Sequence, residues 1–269
     1  MLSDITLGQF FPGRSVLHAM DPRVKVLLTL GFIVAVFLPQ NWVGLLAIVL
    51  FLAISIAVSR LPVVLILRSL KPIIPIVLFT SLINILYVQG EVFWEWWIFH
   101  VSLKGIITAI FVAVRIVALI AGSSLLTYTT SPTALTDAIE RLLKPLKYLK
   151  INVQEMAMMM TIALRFIPTL IEETDKIMSA QKARGADLES GGLLQRIKAL
   201  IPILIPLFVS SFRRAYELAT AMECRCYTGM GATRMKQLHI AVRDVAAIFL
   251  MVLIMAGVII CNILLPAVI

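Results

Sequence analysis

The chain has 269 residues, 60% of them hydrophobic, and a mean hydropathy of +0.98, which is too apolar for a soluble domain of that length. Its formal net charge of +9 comes with no zinc-finger or RNP-like pattern, so nucleic acid is not an expected partner. The three cysteines give no sign of a disulfide framework.

Residues 1–23 carry Asp4, Arg14, Asp21 and Arg23 and have no long apolar core. No signal peptide is expected, and the first apolar run is retained. Gly8–Ser15 nearly spells a phosphate-binding loop, but Arg14 stands where that loop needs Lys and there is no room for a strand before Gly8. A turn-rich segment is the better reading. Asp21-Pro22 reads as a helix start, with Pro in the first turn.

A helix that crosses a bilayer needs about 20 apolar residues. Long apolar runs predict five such spans, at roughly 24–39, 42–59, 70–88, 105–127 and 242–265. The fourth carries Arg115, costly in lipid unless it faces the bundle or a polar path. Basic residues set the expected orientation. Arg14, Arg23 and Lys25 precede or open the first span, and Arg60, Arg68 and Lys71 lie between the second and third. Sixteen of the 24 Lys and Arg lie from Arg141 to Arg243, and only Lys104 falls in an expected outer loop. The positive-inside rule then puts the N-terminus in the cytoplasm and the C-terminus outside a cell membrane. The expected outer loop 89–104 has Glu91, Glu95, Trp94, Trp96 and Trp97, which suits a membrane–water interface.

The stretch Tyr128–Ile240 reads as three cytoplasmic or interfacial helices. The first, roughly 132–149, starts at Ser131-Pro132 and puts Leu135, Ile139, Leu142 and Leu146 on one face, as an interfacial helix does. The second, about 153–183, repeats Met156, Met159, Met160, Ala163, Ile167, Leu170 and Ile177 at a 3–4 spacing. The third, about 193–226, holds Pro202 and Pro206. Each long helix starts apolar and ends charged, and at 1.5 Å per residue each is on the order of 45–50 Å long. Each is expected to begin at the membrane and project its tip to a partner. The fold class is therefore all-α and polytopic, with about five transmembrane helices and three coupling helices. The segments are 1–127 (transmembrane), 128–240 (coupling) and 241–269 (last span).

The tips match. Ser179-Ala180-Gln181-Lys182-Ala183-Arg184-Gly185 and Thr220-Ala221-Met222-Glu223-Cys224-Arg225-Cys226 share Ser or Thr, Ala, two residues, a small residue, Arg and another small residue. Gly185 suits a helix C-terminal cap, and Arg there complements the macrodipole. A lone Arg at such a place is ordinary capping. The repeated frame favours docking of two like partners, with guanidinium forks to carboxylates or carbonyls. Cys224-x-Cys226 lacks metal-site spacing and a second ligand pair, so no metal or other cofactor is expected. Met156–Met160 suits either a core or a surface that repacks against different partners.

The two tips, with Ser15-x-x-His18-x-x-Asp21-Pro22-Arg23-x-Lys25, resemble the T component of energy-coupling factor (ECF) vitamin transporters over nearly the whole chain. The resemblance implies a non-catalytic membrane scaffold with two crossed coupling helices. Their tips, here Ala183, Arg184, Gly185 and Cys224, Arg225, Cys226, would dock two ATP-binding cassette ATPases, with a heterodimer expected. The helices' apolar faces would hold a small substrate-binding membrane subunit, the S component. The expected contacts are Met156, Met159, Met160, Ala163, Ile167, Leu204, Leu207 and Phe208. At the second tip, Cys224-Arg225-Cys226 replaces Ala-Arg-Gly, so the Arg carries over and the freedom of a glycine does not. The alternatives are a conventional importer permease with its own substrate path, or a membrane transferase. A transferase would need clustered acidic ligands, and Glu172, Glu173 and Asp175 spread round a helix instead.

Overall fold

A computed structural model describes residues 10–87, 92–96, 99–149, 152–186, 192–229 and 238–265. By internal contacts the chain divides into two compact units, one of residues 8–138 and 238–269, the other of 1–7 and 139–237.

In the first unit, α1 (Pro22–Phe37) begins where Asp21 caps it, its carboxylate accepting from the Arg23 N–H at 2.9 Å with Pro22 in the first turn. At 16 residues it rises only about 24 Å, less than the roughly 30 Å hydrocarbon core. Four helical segments among the described residues are long and apolar enough to cross a membrane: Trp42–Ser59, Val63–Tyr87, Leu103–Thr129 and Val242–Leu264. The expected first span is thus a short helix.

The expected third span starts earlier than 70. Pro62 precedes α3 (Val63–Leu70), and a single 3-10 turn at Lys71–Ile73 joins it to α4 (Ile74–Tyr87). Pro72 lacks a donor and loosens the ladder there without ending it, so Arg68 and Lys71 belong to the helical segment. The expected loop that follows contains a hairpin. β1 (Val92–Trp96) pairs antiparallel with β2 (Phe99–Ser102), with Trp96 opposite Phe99 and an irregularity between Val92 and Trp94. Its aromatic and β-branched residues favour that pairing over coil. Glu91 and Trp97 lie outside the described residues.

The central helix is α5 (Leu103–Thr129), which packs against α1, α2 (Trp42–Ser59), α3 and α4. Its Ala118, Ala121 and Gly122 are small enough for close approach. A Cβ at Gly122 would sit 2.1 Å from the Phe32 ring, so any side chain there would have to displace that buried ring. The core gathers Phe32, Val36, Ile48, Leu52, Ile66, Leu125 and Met251. α9 (Val242–Leu264) packs on α1 and α2.

α6 (Pro132–Leu143) is shorter than the expected 132–149, because Pro145 breaks the ladder and residues Lys144–Leu149 form a 3-10 turn. In the second unit, α7 runs Val153–Ala183 as the spacing predicts. α8 runs Leu193–Glu223, three residues short of 226.

Candidate functional site

The three residues that α8 lacks form its tip, closed by the same bonds as the tip of α7. After α7, the Gly185 N–H donates to the Lys182 carbonyl at 3.0 Å and the Ala186 N–H to the Gln181 carbonyl at 3.0 Å. After α8, the Cys226 N–H donates to the Glu223 carbonyl at 2.9 Å and the Tyr227 N–H to the Met222 carbonyl at 3.1 Å. These paired bonds are the Schellman closure, which requires a left-handed residue just past the cap. Gly185 has φ +85° and Cys226 has φ +56°. Arg184 and Arg225 therefore occupy equivalent cap positions. Cys226 takes up the conformation that glycine usually supplies.

Both arginines are exposed, as are Ala183, Gly185, Cys224 and Cys226. Neither guanidinium meets a carboxylate among the described residues. Two exposed guanidiniums on fixed helix caps, neither paired with a carboxylate among the described residues, are thus open to carboxylates or carbonyls.

α7 and α8 run antiparallel. Glu173 Oε2 accepts from Arg214 Nη2 at 2.7 Å, and Ser210 Oγ donates to Glu173 Oε1. Towards the α7 C-terminus, Gln181 Nε2 donates to the Pro202 carbonyl at 3.3 Å. Towards its N-terminus, the Tyr227 hydroxyl donates to Met158 Sδ at 2.8 Å. The pairing lays the charged half of each helix beside the apolar half of the other. The tips consequently sit towards opposite ends of the pair, about 24 residues or roughly 36 Å of helical rise apart.

The same pairing separates the expected apolar contacts into two patches. Met156, Met159 and Met160 are 55%, 63% and 53% exposed, and with Ala163 and Ile167 they lie in the half of α7 beside the α8 tip. Leu204, Leu207 and Phe208 lie in the opposite half of the pair, near the α7 tip. Phe208 stacks on Phe212, and Tyr216 follows one turn later; all three are exposed. Phe212 and Tyr216 lengthen this stripe beyond the sequence reading. Their 208, 212, 216 spacing was visible, but the charges at Arg213, Arg214 and Glu217 interrupt it.

The N-terminal motif serves the first unit. Ser15 Oγ and His18 Nδ1 share a hydrogen bond at 2.7 Å. The buried Lys25 Nζ donates to the Thr129 carbonyl at 2.9 Å. The Asp21 N–H donates at 3.1 Å to Asp244, which is 1% exposed, and Arg23 Nη2 donates to the Leu238 carbonyl at 2.8 Å. The motif thus ties the start of α1 to the end of α5 and the start of α9. Asp244 escaped the sequence reading; its signal was a lone carboxylate in the first turn of an apolar span. Arg115 turns into the protein, its Nη2 donating to the Pro39 carbonyl at 2.7 Å and its guanidinium lying over the Phe111 ring at 4.9 Å, while its buried Nε meets no acceptor among the described residues. Gly8 and Gln9 of the near phosphate loop lie outside the described residues. No group of three or more His, Cys, Asp or Glu that could hold a metal occurs among the described residues.

Comparison with known proteins places these features in a family context. The profile of the CbiQ family, described as cobalt transport protein, matches residues 13–238. The energy-coupling factor transporter transmembrane protein EcfT of Ruminiclostridium cellulolyticum is 54% identical over 260 residues, covering 96% of this chain and 97% of its own. The EcfT protein of Clostridium kluyveri is 54% identical over 250 residues, covering 92% and 93%. That of Lactococcus lactis subsp. cremoris is 45% identical over 245 residues, covering 90% and 92%.

Proposed function

Because the chain belongs to the EcfT family of energy-coupling factor transporter transmembrane proteins, a non-catalytic family of multi-pass membrane proteins, we propose how its parts divide the work of that transporter. Arg184 and Arg225 are the two points at which a pair of ATP-binding cassette ATPases, one per tip, grip the chain. The ATPases hydrolyse ATP and move relative to one another. The α7–α8 pair receives that motion and passes it to a small substrate-binding membrane subunit, which takes up a vitamin or metal. That subunit rests on the apolar stripes of α7 and α8, with Met156, Met159, Met160, Ala163 and the half-buried Ile167 in one patch and Leu204, the half-buried Leu207 and Phe208 in the other. The N-terminus and the tips face the cytoplasm, and the C-terminus faces outward.

The observation that carries this reading is the identical closure of two helix ends, each with an unpaired Arg at the cap, at opposite ends of one antiparallel pair. One tip alone would be an ordinary cap. Two alike, held apart, suit a partner that is itself double. A rigid helix held at a fixed tip converts a change in tip spacing into rigid-body displacement.

The test is co-purification. The tagged wild-type chain should recover two ATPase subunits and a third, small membrane subunit. Arg184→Ala and Arg225→Ala should each lower ATPase recovery, since truncating a buried interfacial charge costs about 2–5 kcal/mol. A charge at Met159 or Leu207 should release the small subunit and leave the ATPases bound. A complex without a third membrane subunit would point instead to a permease with its own substrate path.

A further inference from the structure

A cavity of about 250 Å³ lies among α1, α2, α5 and α9, walled by side chains such as Leu28, Phe32, Leu52, Leu125 and Met251. An apolar void of about 150 Å³ stays dry and holds a benzene, so this larger one takes a run of methylenes. Its polar neighbours are already engaged. Thr29 Oγ1 donates to the Lys25 carbonyl and Ser55 Oγ to the Phe51 carbonyl, both at 2.8 Å. Lys25 Nζ is committed to the Thr129 carbonyl. These groups have given up their hydrogens to the backbone, so a polar ligand would find few partners on these walls and would lose its own hydration.

Arg243 is the exception. It lines the cavity from the start of α9, is exposed, and meets no carboxylate among the described residues. The way in is lateral. At one end α9 is fastened to the cap of α2, where Asn41 Nδ2 donates to the Cys261 carbonyl at 2.9 Å, and to the end of α1, where Asn262 Nδ2 donates to the Leu38 carbonyl at 2.6 Å. At the other end, Val58 of α2 and Arg243 and Leu250 of α9 line the cavity instead. Ile54, Val58 and Leu250 there are 53%, 40% and 46% exposed. The cleft therefore opens between two helices that are each long and apolar enough to cross a bilayer.

We propose that this cleft holds one acyl chain of an anionic phospholipid, with the lipid phosphate on Arg243. Each part of the ligand meets its complement: hydrocarbon against the apolar walls, entry from the side that lipid occupies, and a guanidinium fork for phosphate. The same end of the bundle also carries Arg23 and Arg60, and basic clusters at a membrane surface attract anionic headgroups.

The experiment uses the full chain with the subunits that co-purify, stripped of lipid in mild detergent. It is titrated with phosphatidylglycerol or phosphatidylcholine and read by native mass spectrometry. Wild type should retain one phosphatidylglycerol in preference to phosphatidylcholine by about fivefold, the effect of one basic residue near anionic lipid. Arg243→Gln, at an exposed position, should remove that preference while phosphatidylcholine retention holds. Ala247→Phe and, separately, Ser55→Leu should lower retention of both lipids by filling the cleft. Equal retention of the two lipids by wild type would overturn the proposal. So would retention unmoved by either filling variant. A photo-crosslinker at position 250 that captures a partner-subunit helix in place of lipid would overturn it as well.

Discussion

Arg184 and Arg225 close their helices with the same bonds, on backbones of unequal cost. Gly185 holds φ +85° freely, whereas Cys226 at φ +56° carries a Cβ into the left-handed region at roughly 1–2 kcal/mol. Gly185→Ala should therefore destabilise the first tip by about 1 kcal/mol or more. No neighbour lies within 4 Å of a Cβ there, so the loss comes from the backbone alone. Cys226→Ala should be nearly neutral, and Cys226→Gly should stabilise the second tip by about 1 kcal/mol. Thermal unfolding of the purified chain reads all three. Equal losses for Gly185→Ala and Cys226→Ala would contradict the assigned caps. Arg→Lys at either tip keeps the charge and loses the fork, so ATPase recovery should return only in part.

Among the elements, the α7–α8 pair is held at mid-length by Glu173, which takes both Ser210 and Arg214. The ion-pair side chains are 20% and 33% exposed, so solvent screens them. A double-mutant cycle with Glu173→Gln and Arg214→Gln should give a coupling of about 0.5–1 kcal/mol by thermal unfolding. No coupling would mean that the Glu173–Arg214 ion pair adds nothing to the pairing of the two helices. The bounds of α7 were legible because its 3–4 spacing runs from Met156 to Ile177 with only Thr174 polar on that face. The pairing of α7 with α8 was not, since spacing marks a buried face and not what covers it. The first span was legible as a helix, Pro22–Phe37 against the expected 24–39, though at 16 residues it is shorter than the four segments long and apolar enough to cross. Arg68 and Lys71 masked the true start of the third, because charges beside an apolar run read as a loop, whereas both lie within the helical segment. The hairpin at Val92–Ser102 was lost because its tryptophans also fit a membrane-interface loop. The tip frames were fully legible, but not that Cys226 would adopt the conformation of a glycine.

For the whole molecule, the basic asymmetry makes orientation testable through the native cysteines. Cys224 and Cys226 are exposed at the second tip. With the ATPases stripped away, a membrane-impermeant maleimide should label them in inside-out vesicles and spare them in right-side-out ones; the reverse pattern would invert the topology. On the proposed reading transport depends on both tips acting together, so the most direct measurement is substrate uptake by right-side-out or reconstituted vesicles loaded with ATP and carrying Arg184→Ala with Arg225→Ala, alongside ATPase recovery on pull-down. Uptake should fall nearly to background, with ATPase lost from the complex or hydrolysing ATP without transport. Wild-type uptake with wild-type ATPase retention would contradict the coupling role and leave the two arginines as ordinary helix caps.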